Sequence, residues 1–405
     1  MNDTAKPTAL AFDEARRIVI ETVRSLNRSR SSETLDLHQA HGRVLASDLS
    51  ADRDHPALRR SLRDGFAVRA ADIPGTLSIR GEVRAGEAKQ AGIGAGEAIE
   101  IMTGAPVPPG ADAVVMIEHT TRIDPAHVST ETTAKPGQFI NEQGAEARSG
   151  TVLIPGGTKL DGSHIATLAM SGHTSVKVFR RPSAAVLATG DEIVEIAEQP
   201  APYQVRNSNS YMLAALINAA GGDATILPIA RDTREALRPL LEQGLQHDML
   251  VISGGVSAGK YDLVKPTLRE IGAQFRFERV RVQPGQPTAF GVAGDKPVFG
   301  LPGNPGSSLI TFELFAKAAI EILGGQNDPL LPLLQAQFEA PFRHKLGLTR
   351  FLPALLSPDG QHLRHLPWQG SSDVPALAKA NVFLIADEDR ETWDVGDSIR
   401  VMRKP

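Results

Sequence analysis

At 405 residues the chain has length for about two to four domains of roughly 100–200 residues each. Charged residues make up 22% and the hydrophobic set 41%, and a net charge of −4 with a pI near 6.3 leaves no electrostatic footprint for DNA or RNA. With no cysteine, disulfides, thiolate zinc sites, iron–sulfur clusters and thiol catalysis are excluded.

The N-terminal stretch MNDTAKPTALAFDEARR lacks the apolar core of a secretory signal, and no run of about 18 apolar residues is long enough for a membrane span. A cytoplasmic location, with neither membrane nor nucleic acid as partner, is therefore expected. From Phe12 to Leu26 the positions Ala15, Ile18, Val19, Val23 and Leu26 recur at helical spacing, as in an amphipathic packing helix. The basic run RSLNRSRSS (24–32) is short and without aromatics, so it reads as a solvated turn. Between about Ser50 and Glu146, short β-type runs such as AIEIM and AVVMIEH alternate with Gly/Pro turns, which predicts a β-rich module. A helix over Ser163–Met170, stopped by SGH, follows.

From Pro182 to about Gly324 the pattern is strand, helix, strand. AAVLA, TILPIA, MLVIS and KPVFGLP read as strands; SNSYMLAALINAAGG, DTREALRPLLEQGL, DLVKPTLREIG and SSLITFELFAKAAIEIL read as helices. Asp232 with Glu235, three residues on, has the spacing of a capping box. Alternation of this kind implies right-handed crossovers and a mainly parallel sheet covered on both faces, a three-layer α/β/α domain. From about Asn327 the runs RFLPALL, NVFLIAD and SIRVM predict a small β-barrel-like domain. The expected division is 1–50 with 147–181 as a linker and dimerisation subdomain, 51–146 as a β-rich subdomain, 182–325 as the α/β domain and 326–405 as the C-terminal β domain.

Open parallel sheets bind ligands at the carboxyl ends of their strands. Three strands here exit into unusual loops, TGDE (189–192), GGVSAGKYD (254–262) and LPGNP (301–305), and a fourth exits at Arg231 and Asp232. Parallel strands bring these loops to one edge, with Asp191, Glu192, Asp232 and Asp262 set among glycine-rich backbone. Glycines let backbone N–H groups approach an anion closely, and carboxylates of this kind hold Mg²⁺. The spacing G-x-x-x-x-G-K in 254–260 outlines a phosphate-binding P-loop, but the next residue is Tyr261, whose oxygen stands too far out to replace the required Ser or Thr. The P-loop reading is rejected, and Lys260 is kept as a point charge for a phosphate. His362 and His365 lack a third ligand and read as surface histidines; Trp368 reads as a packing residue rather than a pterin platform.

SGGVSxGxxD, TGDE and GLPGNP together form a signature that resembles the molybdopterin-binding α/β domain. IEIMTGAPVPPGADAVVMIE (99–118) and RDGFAVRAADIPG (63–75) resemble the N-terminal region of the MoeA family, and the resemblance covers nearly the whole chain. It implies a Mg²⁺-dependent homodimeric transferase that takes adenylylated molybdopterin and molybdate, inserts molybdenum and releases AMP. The cleft would lie between the α/β domain of one subunit and the N-terminal region of the other. A molybdopterin adenylyltransferase and molybdoenzyme chaperones are the implied protein partners. Residue by residue, the resemblance puts Asp64, Asp232 and Asp262 in catalysis and Asp191, Glu192, Asp232 and Asp262 around the metal. It puts Thr103, Gly254, Gly255, Ser257, Lys260, Pro302, Gly303, Asn304, Pro305 and Ser371 on the substrate. The chain departs from the family at Arg63, where Met is usual, and at NEQGAEA (141–147), which replaces an arginine-rich stretch. QPGQP (283–287) puts Gln283 and Gln286 where lysines are usual, and Arg350 lies near, not at, a family arginine. These departures keep open a divergent paralogue that binds pterin or tungstate with altered or no transferase activity, with Arg63, Arg206, Arg231, Lys260 or Arg281 as replacements for the missing positive charge.

Overall fold

The computed structural model describes residues 9–26, 29–87, 91–256 and 262–404. Helix α1 (Phe12–Ser25) turns Phe12, Ala15, Val19 and Val23 inward, as its periodicity requires, and its first turn carries Asp13 and Glu14, which suit the helix dipole. That face packs into the core of the α/β unit far along the chain, with Phe315, Ile320 and Ile322. Arg16 is buried on the same face and donates to the carbonyls of Leu314 and Pro329, both at 2.7 Å, so its guanidinium does not lack acceptors.

After α1 the chain runs out along 32–36 and 49–50 and returns along 152–154 and 175–179, each outgoing strand pairing antiparallel with a returning one. Between the two legs lies the β-rich unit. Its sheet contains β1 (Gly65–Val68), β2 (Gly75–Val83), β3 (Glu97–Ile101), β4 (Ala113–Met116), β5 (Thr121–Asp124) and β6 (His127–Thr130), in the order β4-β1-β3-β2-β6-β5. Side chains alternate along these strands, so one face buries Ala67, Ile99 and Val114 and the other Phe66, Ala98 and Val115. On the returning leg, α2 (Gly162–Met170) is capped by Asp161, which accepts from the backbone of Ser163 and His164 while the His164 side chain accepts from the Asp161 N–H. Bonds led by the Ser163 hydroxyl hold the Asp161 carboxyl down at about 2.

The α/β unit follows as β7 (Ser183–Ala188), α3 (Ser208–Ala219), β8 (Asp223–Ile226), α4 (Arg234–Gly244), β9 (Met249–Ser253), α5 (Val264–Glu270), β10 (Ala273–Phe277), β11 (Ala289–Ala293) and β12 (Lys296–Leu301). A long helix closes it, built from α6 (Pro305–Thr311), a π-helical turn at Phe312–Ala316 and α7 (Lys317–Leu323). The sheet order is β8-β7-β9-β12-β11-β10; the first four strands are mutually parallel and β11 alone runs against its neighbours. Alternate residues of β7 face opposite layers: Ala184 and Val186 join the cluster with α1, α3 and α7, whereas Ala185 and Leu187 join the one with α4 and α5. The chain passes from β7 outward to β8 and then back across to β9, so the strand order reverses between β7 and β9. Ligands settle at such switch points, outside the carboxyl ends of the strands.

The C-terminal unit has β13 (Leu333–Phe338), β14 (Thr349–Leu356), β15 (His362–His365), α8 (Val374–Lys379), β16 (Val382–Ala386) and β17 (Ser398–Arg403). The order β14-β15-β13-β17-β16 closes on itself through β16–β14 pairing, a five-stranded barrel without free edges. Phe338 and Phe342 stack inside it with centroids 5.2 Å apart. Trp368 packs on both this core and that of the α/β unit, the packing role expected of it. His362 is exposed, but His365 is half-buried against Phe342 at 5.3 Å, and burial pushes its imidazole pKa down; it is a packed ring, not the surface histidine expected.

Candidate active site

The loops after β7, β9 and β12 meet at the carboxyl edge of the sheet, joined by the segment after β8, where Ala230 bridges to Thr189. They enclose a cleft of about 670 Å³, whose lining includes Glu192, Asp232, Asp262, Gly254, Gly255 and Asn304. Gly303 and Pro305 also reach it, with Ser372 from the segment leading into α8. The convergence expected from a parallel reading is therefore present.

Glycine is required at the base of this cleft. Gly254 has φ +95 and Gly255 φ +64, a backbone region costly for other residues. A Cβ at 254 would stand 2.6 Å from the Thr189 carbonyl oxygen, and one at 255 would stand 2.4 Å from Val264 Cγ2. The Gly254 N–H is spent on the Leu301 carbonyl at 3.0 Å, which ties the loop after β9 to β12.

The other loops are fastened by side chains. Asn209, in the first turn of α3, donates from Nδ2 to Ser253 Oγ at 2.8 Å and to the Gly303 carbonyl at 2.6 Å. One amide thus fixes the exit of β9 to the exit of β12. Asn207 caps α3 by accepting from the Ser210 N–H at 3.2 Å, and the Ser308 hydroxyl donates back to the Pro302 carbonyl. Asn304 Nδ2 donates to Ser371 Oγ at 3.0 Å, and the Gly306 N–H to the Ser371 carbonyl at 2.7 Å, so Ser371 is docked on the loop after β12. Thr189 and Ser253 entered only as the first residues of TGDE and SGGVSxGxxD, and Asn207 and Asn209 were not among the residues expected at the site. No spacing rule marks them, because each is brought in by the three-dimensional crossing of loops distant in sequence; only their small polar character at strand and helix ends hints at a role.

The acids divide in their surroundings. The Asp232 N–H donates to Asp191 Oδ1 at 3.3 Å, so Asp191 supports the loop after β8 and is absent from the cleft lining. Burial, and then the nearby charges of Asp191 and Glu192, push the Asp232 carboxyl above its ordinary range. The capping box expected from Asp232 and Glu235 does not form. Thr233 takes the extended conformation an N-cap needs (φ −126, ψ 150) and accepts from the Ala236 N–H at 3.3 Å, so α4 starts one residue later and Asp232 stays with the cleft. Likewise α5 has Leu263 as its N-cap, without a side-chain cap, which leaves Asp262 on the cleft wall.

Among the described residues, no three acids or histidines stand close enough to cage a metal ion, so the four acids do not meet at one point. That arrangement fits Mg²⁺, which commonly takes one or two carboxylates and completes its octahedron with water and substrate phosphate. Asp262 and Asp232, which face the cleft, have the donor chemistry for it.

Asp64 and Thr103 lie together in the β-rich unit and outside the cleft lining: the Thr103 N–H donates to Asp64 Oδ1 at 2.6 Å, and this bond leads in holding the Asp64 carboxyl below its usual range. Ser257, Lys260 and Tyr261 lie outside the described residues. Arg63 stacks over Phe139 at 5.9 Å, and Gln283 stands in register with Arg350 on β14. Arg231 turns back to the Asp191 carbonyl at 2.8 Å, and Arg281 pairs with Glu388 at 3.2 Å. Among the described residues that line the cleft, Arg206 is the one Lys or Arg, and its Nε donates to the Glu198 carbonyl at 3.0 Å.

Residues 10–172 match the family described as MoeA N-terminal region (domain I and II), residues 185–322 the probable molybdopterin binding domain and residues 335–403 the MoeA C-terminal region (domain IV). A Bacillus subtilis protein named molybdopterin molybdenumtransferase is 32% identical over 98% of this chain and 94% of its own length. One of the same name from Nostoc sp. is 37% identical over 76% of this chain and 73% of its own. A crystal structure of a molybdopterin biosynthesis MoeA protein from Pyrococcus horikoshii superposes with a TM-score of 0.79 at 26% identity, covering 98% of this chain and 100% of that one.

Proposed function

Because this chain belongs to the MoeA family, we propose that it is a molybdopterin molybdenumtransferase, one that joins molybdate to adenylylated molybdopterin and releases AMP to give the molybdenum cofactor. The observation that carries the reading is the cleft itself: acids and bare glycine backbone gathered at the strand-order reversal between β7 and β9. Its size suits a pterin and the phosphate of a nucleotide, not a macromolecule.

The reacting partners are anions, and the protein supplies position and charge balance rather than a nucleophile. In this reading the adenylate phosphate lies against Gly254 and Gly255, whose lack of side chains permits close approach. Molybdate lies toward Gly303, Asn304 and Ser371, with the Asn304 amide and the Ser371 hydroxyl as donors. Asp262 and Asp232 hold Mg²⁺, which offsets the charge on the leaving phosphate when bound. Asn209 keeps the two sides in register. Burial and the repulsion from Asp191 and Glu192 raise the Asp232 carboxyl, and a cation beside it would offset them and favour the ionised form that binds metal. Asp64 and Thr103 lie outside the cleft of their own chain, which supports a homodimer in which the partner's β-rich unit completes the site. We place the protein in the cytoplasm, with a molybdopterin adenylyltransferase upstream and molybdoenzyme chaperones downstream.

The test is AMP release from adenylylated molybdopterin by the purified protein with Mg²⁺ and either molybdate or tungstate. Release that requires one oxyanion supports the transferase and names its metal. Binding of the substrate without oxyanion-dependent release overturns it in favour of a pterin-binding relative, the outcome that Gln283 and Gln286 would then explain.

A further inference from the structure

On the opposite edge of the sheet, where β7 and β9 begin, lies a second concavity of about 410 Å³. It sits at both passages of the chain between the α/β unit and the linker strands, and β7, six residues long, separates it from the cleft by roughly 20 Å. Four arginines line it: Arg24 at the end of α1, Arg30 on the outgoing passage, and Arg180 and Arg181 on the return. Val23, Pro182 and Ile322 give it an apolar side.

Acids offset only part of this charge, and Asp248 itself lines the concavity. Asp248 Oδ2 is taken by the Ser183 N–H at 2.9 Å and hydroxyl at 3.0 Å, and Glu33 is taken by Arg43 at 2.6 Å. Arg24 is engaged by the Asn327 carbonyl and by Asp328 at 3.7 Å. Arg30 rests over the Phe179 ring at 5.8 Å, and Arg180 and Arg181 reach Glu33 only through space. Like charges gathered on one rim repel each other, which a chain of net charge −4 has ample carboxylates to avoid. Guanidinium groups beside an apolar wall match a ligand with an ionised phosphate at one end and a flat apolar body at the other.

We propose that this arginine-lined pocket at the two chain passages is a binding site for an organic phosphate, distinct from the cleft. Arg24, with Ser29, Arg30 and Ser31, from the run that reads as a solvated turn in sequence, forms one wall of it. A ligand here touches α1, the linker and the start of β7 together, and so clamps the α/β unit to the leg that carries the β-rich unit.

The test is calorimetric titration of the full chain with AMP and, separately, inorganic phosphate, in magnesium-free buffer, where the acid-lined cleft repels anions. AMP should bind at one site per chain, more tightly than inorganic phosphate. Arg180→Gln/Arg181→Gln should weaken AMP at least about tenfold through lost charge-assisted bonds, with the lysine pair recovering part of the affinity. Both arginines are exposed, so the variants should keep the wild-type circular dichroism and thermal midpoint. Unchanged AMP affinity in the glutamine pair, AMP no tighter than phosphate, or equal weakening by Asn304→Ala in the cleft would each overturn the assignment.

Discussion

Asn209 offers the sharpest test of how the cleft is held. Replacing it with alanine removes the two bonds from Nδ2, at 2.8 Å to Ser253 Oγ and 2.6 Å to the Gly303 carbonyl. Ser253 is only 4% exposed, and its hydroxyl keeps just a long contact with Ser308 Oγ at 3.4 Å, so little compensation is available on that side. The Gly303 carbonyl borders the cleft, where water can replace the lost donor. At about 0.5–1.5 kcal/mol for each bond, the loss sums to roughly 1–3 kcal/mol. The effect on turnover should exceed the effect on folding. Asn209 sets the spacing between the β9 and β12 exits, and a shift of about 1 Å between reacting groups costs on the order of 10²-fold. Urea unfolding gives the first quantity and AMP release the second. Asn209→Asp separates the causes: it keeps the shape, cannot donate, and adds an acid to a cleft that already has three, so it should be at least as inactive as alanine. A normal AMP-release rate in the alanine variant, with the stability loss present, would refute the claim that this amide positions the two loops.

Asp232→Asn should stabilise the protein at pH 7 while impairing AMP release. A carboxyl whose pKa is raised on folding contributes stability that is complete below its unfolded value of 3.8 and is lost as pH rises through the folded value. The urea midpoint of the variant should therefore exceed wild type at pH 7, and the gain should shrink toward pH 3.8; an equal gain at both pH values contradicts a carboxyl raised by burial and by the charges of Asp191 and Glu192. Gly254→Ala meets the Thr189 carbonyl at 2.6 Å in a left-handed backbone, and should cost about 2–4 kcal/mol in chemical denaturation; a loss under about 0.5 kcal/mol means the loop is free to move away. If the site is shared between subunits, Asp64→Asn and Asp262→Asn chains, each inactive alone, should regain roughly a quarter of wild-type activity when exchanged, because half the dimers carry one intact site. No recovery on exchange, with dimers formed, places both acids in one chain's site.

The sequence made the architecture legible wherever one periodicity dominated. The β-rich unit, the alternating strands and helices, and the barrel each follow from side-chain alternation and Gly/Pro punctuation, and the acids at strand exits follow from the parallel reading. The start of α4 was misplaced by one residue because Asp232 and Thr233 are both good caps and only the backbone conformation chooses between them. Asn209 was invisible for another reason: its partners lie 44 and 94 residues away, and no local pattern encodes a bond of that reach. His365 misled similarly, since its neighbour Phe342 stands 23 residues earlier, in the segment between β13 and β14. Conversely, GGVSAGK has the outline of an ATPase loop yet follows the third strand of its sheet, and its first two glycines serve the close approach to Thr189 and Val264.

The π-helical turn at Phe312–Ala316 has a consequence for how this chain tolerates length changes. Such a turn holds about one residue more than an α-helical one, and each residue advances a helix by about 100°. Ser307 and Ser308 before it can thus serve the catalytic edge, while Ala319, Ile320 and Ile322 after it still point at α1. Deleting a single amino acid there would convert the turn to an ordinary α-helical one and leave both ends in phase, whereas adding one would swing them apart by about 100°, so this stretch should absorb a shortening by one residue and resist a lengthening.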